Sequence, residues 1–88
     1  MPASFTPKQG QYLAFIYAYT TIHGYAPAEN DFRRFFGTSA PSVHRMIVEL
    51  AKKELITRVP RQARSIGLRV EPEVLPILRR PANRSESL

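Results

Sequence analysis

Eighty-eight residues leave room for one domain, whose core can supply only about 3–5 kcal/mol. No cysteine is present, which removes disulfides, thiolate metal sites and cysteine nucleophiles. The net charge is +6, and over residues 33–70 nine basic side chains meet only Glu49 and Glu54, a local net of +7 that suits a polyanionic partner.

The chain opens on a short leader ending at Phe5, followed by Thr6-Pro7-Lys8-Gln9, which has the grammar of a helix start. The Thr6 hydroxyl can accept from the Gln9 N–H, the Gln9 side chain can reach back to the Thr6 N–H, and Pro7 fills a position whose N–H is not needed. Such a cap contributes about 1 kcal/mol. Phe5 is placed to staple onto the first turn. Tyr12, Leu13, Phe15, Ile16 and Tyr19 recur at helical spacing and predict a helix over residues 7 to about 22, stopped by Gly24. A stripe this aromatic reads as core packing rather than a ligand pocket.

After the connector Tyr25-Ala26-Pro27, a second helix is predicted over about 28–36. Glu29 and Asp31 fall in its first turn, where the helix dipole favours acids. Phe32, Phe35 and Phe36 form its buried face and Gly37 ends it. Thr38 or Ser39 caps a third helix over about 40–53, with Val43, Ile47 and Leu50 inward, Met46 at the edge, and Lys52 and Lys53 in the last turn. Residues 55–59 and 65–70 alternate as two short strands around a polar loop, giving a hairpin with two arginines at its tip. The expected fold is mainly α with a small β-hairpin: a three-helix winged helix-turn-helix domain over residues 1–70. Residues 71–88 read as a C-terminal extension in which 74–78 can lie back on the domain and disorder is expected beyond Arg79.

The tight turn Gly37-Thr38-Ser39-Ala40 is helix-turn-helix grammar, and the second helix of that motif enters the major groove, about 12 Å wide. The outward side of the third helix carries Pro41, Arg45, Val48, Glu49 and Lys52, with Ser42 and His44 at the flanks. Thr38, Ser39 and Ser42 gather at its N-terminal end, which suits a phosphate. Arg45 is the base-reading candidate: its forked donors match the two acceptors of guanine, a discrimination of about 1–3 kcal/mol. The simpler alternative for Arg45 is solvation or a phosphate contact. Ser42 and His44 can add contacts to bases or phosphates, and Val48 can touch a thymine methyl. The basic wing, over about 57–69, is expected on the backbone or in the minor groove, through Arg58, Arg61, Gln62 and Arg64. The expected DNA-binding set is thus Thr38, Ser39, Ser42, His44, Arg45, Glu49, Lys52, Arg58, Arg61, Gln62 and Arg64.

Several short motifs point the same way. Phe5-Thr6-Pro7-Lys8-Gln9 is similar to a Leu-Thr-x-Lys/Arg-Gln opening, and Gly24-Tyr25-Ala26-Pro27 to a Gly-Tyr-Pro-Pro connector. Ser42-Val43-His44 with Leu50, Leu55 and Ile56, and Ala63-Arg64-Ser65-Ile66 with Leu68, look like a recognition helix, first strand and wing end. Together they resemble the N-terminal DNA-binding domain of LexA repressors over about residues 5–70. The resemblance implies sequence-specific binding of double-stranded DNA and repressor-like transcriptional regulation. Departures from the family pattern are a turn one residue shorter before the third helix, Thr38 where Leu is usual, Glu54 where Gly usually ends the helix, and Arg61 where Gly is common. Base preference is therefore not carried over. The self-cleaving domain of LexA, with its serine–lysine pair, is not expected in these 88 residues.

The chain is not expected to be an enzyme. His23 and His44 lie on different helices without paired carboxylates beside them, Glu29 and Asp31 point to different sides of one helix, and neither metal-ligand spacing nor a Gly-rich phosphate loop is found. No cofactor is expected. No stretch reaches the ~20 apolar residues of a membrane span, and the start lacks the pattern of a secretory signal, so a cytoplasmic protein without a membrane partner, nucleoid-associated when on DNA, is expected. Most aromatic residues fall on core positions, which weakens a single-strand stacking role. The alternative is a winged-helix module that binds protein or RNA through the same basic face without specific DNA readout. Oligomeric state is open. A homodimer on palindromic DNA fits the few base pairs that one module reads, although no dimerisation element is evident.

Overall fold

The computed structural model describes residues 4–81. Helix α1 (Pro7–His23) begins on the capping box that its sequence spells: the Gln9 N–H donates to Thr6 Oγ1 at 3.1 Å and the Thr6 N–H donates to Gln9 Oε1 at 3.0 Å. It ends one residue later than expected, where Gly24 turns left-handed (φ 81°) and its N–H meets Thr20 O. Helix α2 (Glu29–Phe36) starts one residue later than expected because Ala28 is extended and has no side-chain acceptor. Asp31 supplies the missing group, its Oδ2 accepting the Ala28 N–H at 2.8 Å. Helix α3 (Ala40–Lys52) is capped by Ser39, whose Oγ accepts the Ser42 N–H at 3.3 Å and donates to Ser42 Oγ at 3.0 Å.

The end of α3 is a Schellman turn. The Glu54 N–H reaches Ala51 O and the Leu55 N–H reaches Leu50 O, both at 3.0 Å. This requires a left-handed residue at position 54, and Glu54 adopts φ 61°. A side chain there costs about 1 kcal/mol relative to glycine. The turn folds Leu55 back onto Leu50, both buried, and launches the wing.

Three helices and the wing base meet in one core. Tyr12, Leu13, Phe15 and Ile16 of α1 pack with Phe32 of α2, Val43, Ile47 and Leu50 of α3, and Leu55 and Ile56 beyond it. Phe32 is fully buried, its ring centroid 5.3 Å from Tyr12 and 5.0 Å from Phe15. Phe35 and Phe36 are only partly buried at the margin, where Phe36 stacks on Tyr12 at 4.4 Å. Burial pushes the Tyr12 hydroxyl above its ordinary pKa, because the charged form loses its hydration there.

The hairpin is shorter than its sequence pattern suggests. Only Ile56–Thr57 (β1) and Gly67–Leu68 (β2) pair, antiparallel, with Ile56 opposite Leu68 and Thr57 opposite Gly67. Beyond them a side chain replaces the ladder: Ser65 Oγ accepts the Val59 N–H at 2.9 Å and donates to Val59 O at 3.1 Å. Gly67 has no room for a side chain, since a Cβ would stand 2.9 Å from Thr57 Oγ1. β2 rests against α1. The chain then makes a 3-10 turn (Pro72–Val74) and returns along α1, with Leu75 and Leu78 packed against the core. The disorder expected beyond Arg79 falls mostly on residues 82–88, which lie outside the described residues.

Candidate nucleic-acid interface

The outer wall of α3 faces a groove floored by Tyr12 and Met46 and edged by Thr38, Ser42, Arg45, Val48, Glu49 and Lys52. Arg45 and Lys52 are two helical turns apart, so they stand on one line about 10 Å long. Both are exposed. The far side of the groove is supplied by Lys8, in the first turn of α1. Nothing in the local sequence marks Lys8 as part of this surface; the packing of α1 beside α3 puts it there. Ser39 and Ser42 are occupied with capping α3, while Thr38, half-buried, donates its N–H to Arg33 O at 3.3 Å. The N-terminal end of α3 is therefore held rigidly at the mouth of the groove.

The other flank of α3 meets the wing. A cleft of about 250 Å³ lies between the start of α2 and the wing tip, lined by Pro27, Glu29, Ile47, Arg58, Arg61 and Gln62 among others. His44, one turn before Ile47, stands with its Nδ1 3.1 Å from Glu29 Oε2. The sequence offered Glu29 only as a dipole partner; the fold gives it a side-chain partner on α3. Arg61 and Gln62 are exposed at the tip, and Arg58 is partly buried. The Gln62 N–H closes the loop onto Val59 O at 3.1 Å, and Arg61 takes a left-handed conformation (φ 64°) to allow it.

Arg64 corrects the picture of a tip with two outward arginines. Its guanidinium turns back onto the α1–α2 connection, with Nη1 3.0 Å from Ala26 O, 3.2 Å from the Tyr19 hydroxyl and 3.3 Å from Asp31 Oδ2. The guanidinium carbon also lies 4.8 Å from the Tyr25 ring centroid and 5.8 Å from that of Tyr19. The hydrogen bond to Tyr19 raises the Arg64 pKa above its ordinary value. One guanidinium nitrogen thus joins the wing to a carbonyl, a phenol and a carboxylate on three separate stretches of chain, while the flat face of the group lies near two tyrosine rings. Its contacts span up to 45 residues of sequence, which is why the local pattern could not distinguish it from Arg61.

Lys53 is likewise turned to an internal task, its Nζ donating to Gln9 Oε1 at 2.8 Å and tying the end of α3 to the start of α1. Among the described residues no group of three or more His, Cys, Asp or Glu is arranged to hold a metal ion. Among the same residues no helix is long and apolar enough to cross a membrane.

Comparison with known proteins places this geometry. Residues 3–65 match the family model of the LexA DNA binding domain. The LexA repressor of Thermosipho africanus is 36% identical over 72 residues, covering 82% of this chain and 36% of that protein. The LexA repressor of Thermosipho melanesiensis is 36% identical over 74 residues, and that of Magnetococcus marinus 32% identical over 77. The chain spans about a third of the length of these curated relatives, at the 33–37% covered. A capped three-helix core, a helix-turn-helix pair and a short wing coincide with a family match over most of the chain, and the chain belongs to the LexA DNA-binding domain family.

Proposed function

We propose that this chain binds double-stranded DNA with sequence preference and acts as a repressor-like transcriptional regulator. The observation that carries the reading is the groove along α3, where Arg45, Lys52 and Lys8 edge one surface above a rigidly capped helix start. In this reading α3 enters the major groove. Arg45 reads a guanine through its paired donors, and Glu49 is placed to accept from a cytosine amino group. Thr38, Ser39 and Ser42 bring the N-terminal end of α3 to a phosphate, and Lys52 and Lys8 take phosphates on either side. His44, with Glu29 beside it, lies at the edge toward the wing.

The wing adds Arg58, Arg61 and Gln62 from the other flank, on the backbone or in the minor groove. Arg64 has a different role here from the other members of the expected set: it holds the wing against the α1–α2 connection and so aims Arg61. Two copies on a palindromic site form the proposed assembly, and the work is binding rather than catalysis, carried out in the cytoplasm at the nucleoid. The named repressors among its relatives support the regulatory direction.

Selection of bound sequences from a random duplex pool tests this directly. Enrichment of one motif with a fixed half-site spacing is expected. With about five phosphates contacted, log K against log salt should slope at about −4.5. Absence of duplex binding at low salt, or a stronger preference for RNA or a protein partner, overturns the proposal.

A further inference from the structure

The C-terminal segment is fastened to α1 by one side chain at two points. Gln11 Nε2 donates to Ile77 O at 2.9 Å, and Gln11 Oε1 accepts the Arg79 N–H at 2.8 Å. Leu75, before these bonds, and Leu78, between them, pack against the core. Pro76 passes close enough to Gly10 that a Cβ there would stand 3.0 Å from its Cγ, so a glycine at this point lets the strap lie flush. The backbone is thereby set up to Arg79.

The strap creates a cleft beside the start of α1, lined by Lys8, Phe36, Pro76, Arg79 and Arg80 with no acidic residue among its lining. Lys8 belongs both to this cleft and to the groove along α3. The cationic surface therefore continues from Arg45 and Lys52, across Lys8, to Arg79. At its Lys8–Arg79 end this surface has cations on a fixed backbone with no acid in the cleft lining, which matches the repeated diester charges of a DNA backbone rather than the edge of a base. We infer that the strap presents Arg79 to a backbone phosphate beyond the reach of α3, extending the footprint on the side opposite the wing. Arg79 contributes sequence-independent affinity, and Gln11 is the residue that positions it. This inference rests on the reading of the α3 groove as the DNA-binding surface.

The test uses the full chain and two duplexes, one carrying the selected motif and one of random sequence. Arg79→Gln removes the charge at an exposed position and should weaken both duplexes by the same factor, with a salt slope shallower by about 0.9. Gln11→Ala removes no charge, yet should reproduce that loss, and combining the two should add little to either alone. Arg45→Ala should weaken only the selected duplex. If Arg79→Gln leaves affinity and slope unchanged while Arg45→Ala still acts, the inference fails and the DNA reading stands. If Arg79→Gln acts but Gln11→Ala, shown by circular dichroism to be folded, does not, the positioning role of Gln11 is overturned. If neither arginine matters, both readings fall together.

Discussion

Thirteen residues of α3 are held by the helix's own backbone bonds and a serine cap, while the wing has two paired positions and little backbone ladder. Both carry part of the basic surface. What fixes the wing is side-chain chemistry: Ser65 closes it across its own loop, and Arg64 reaches out of it to Tyr19, Ala26 and Asp31. Two adjacent pieces of one basic surface thus owe their shape to different ranges of interaction. In α3 the cap and its partner are three residues apart; in the wing the anchor and its partners are 33 to 45 apart. Arg61 and Arg64 show the consequence within a single loop. Both are left-handed, yet one faces solvent and the other is committed to the fold.

The most damaging way to break this comparison is to empty the core on which both regions rest. Phe32→Ala should cost about 3–5 kcal/mol, close to the whole stability of a domain this size, and circular dichroism melting should show a chain largely unfolded at 37 °C. A cooperative melt near that of the parent would mean that Phe32 is not the keystone of the α1–α2 packing. Next, Arg45→Ala separates the helix from the wing functionally. It should remove about 1–3 kcal/mol of discrimination between selected and random duplex while leaving the salt slope almost intact. Equal losses on both duplexes would reassign Arg45 to a phosphate.

The joint between the two regions can be tuned as well. Glu54→Gly should stabilise the domain by about 1 kcal/mol, because its left-handed conformation suits glycine. A lower melting temperature would show that the Glu54 side chain makes a compensating contribution. The finest distinction lies within the wing. Arg61→Ala should make the salt slope shallower by about 0.9 on any duplex. Arg64→Met should leave the slope unchanged, weaken binding, and increase amide hydrogen exchange over residues 59–66 without changing α3. Identical behaviour of the two variants would return Arg64 to the set of direct DNA contacts.

Much of the architecture is legible along the chain because its causes are local. The Thr6–Gln9 box, Gly24, Ser39 and Gly37 each act within four residues, and they set the helix ends to within one or two positions. The inward faces of α1 and α3 follow from spacing alone. Two of the four departures from the family pattern, Glu54 and Arg61, stand where glycine is usual, and both take left-handed backbone, since the absence of an expected glycine is itself a local signal. The strands are shorter than the alternation predicts because alternation reports which side a residue faces, not whether a backbone partner is present.

Sequence by itself determined three capped helices, a hairpin, an apolar core and a cationic half of the molecule. Tertiary structure alone decided what the exposed cations meet: Lys53 is drawn to Gln9, Arg64 to Asp31 and two tyrosines, while Lys8 and Arg79 are brought into the margin of the α3 surface. The physical reason is range. A cap or an amphipathic face is satisfied by neighbours a turn away, whereas a long, flexible, charged side chain takes whichever partner the completed fold brings within a few ångströms.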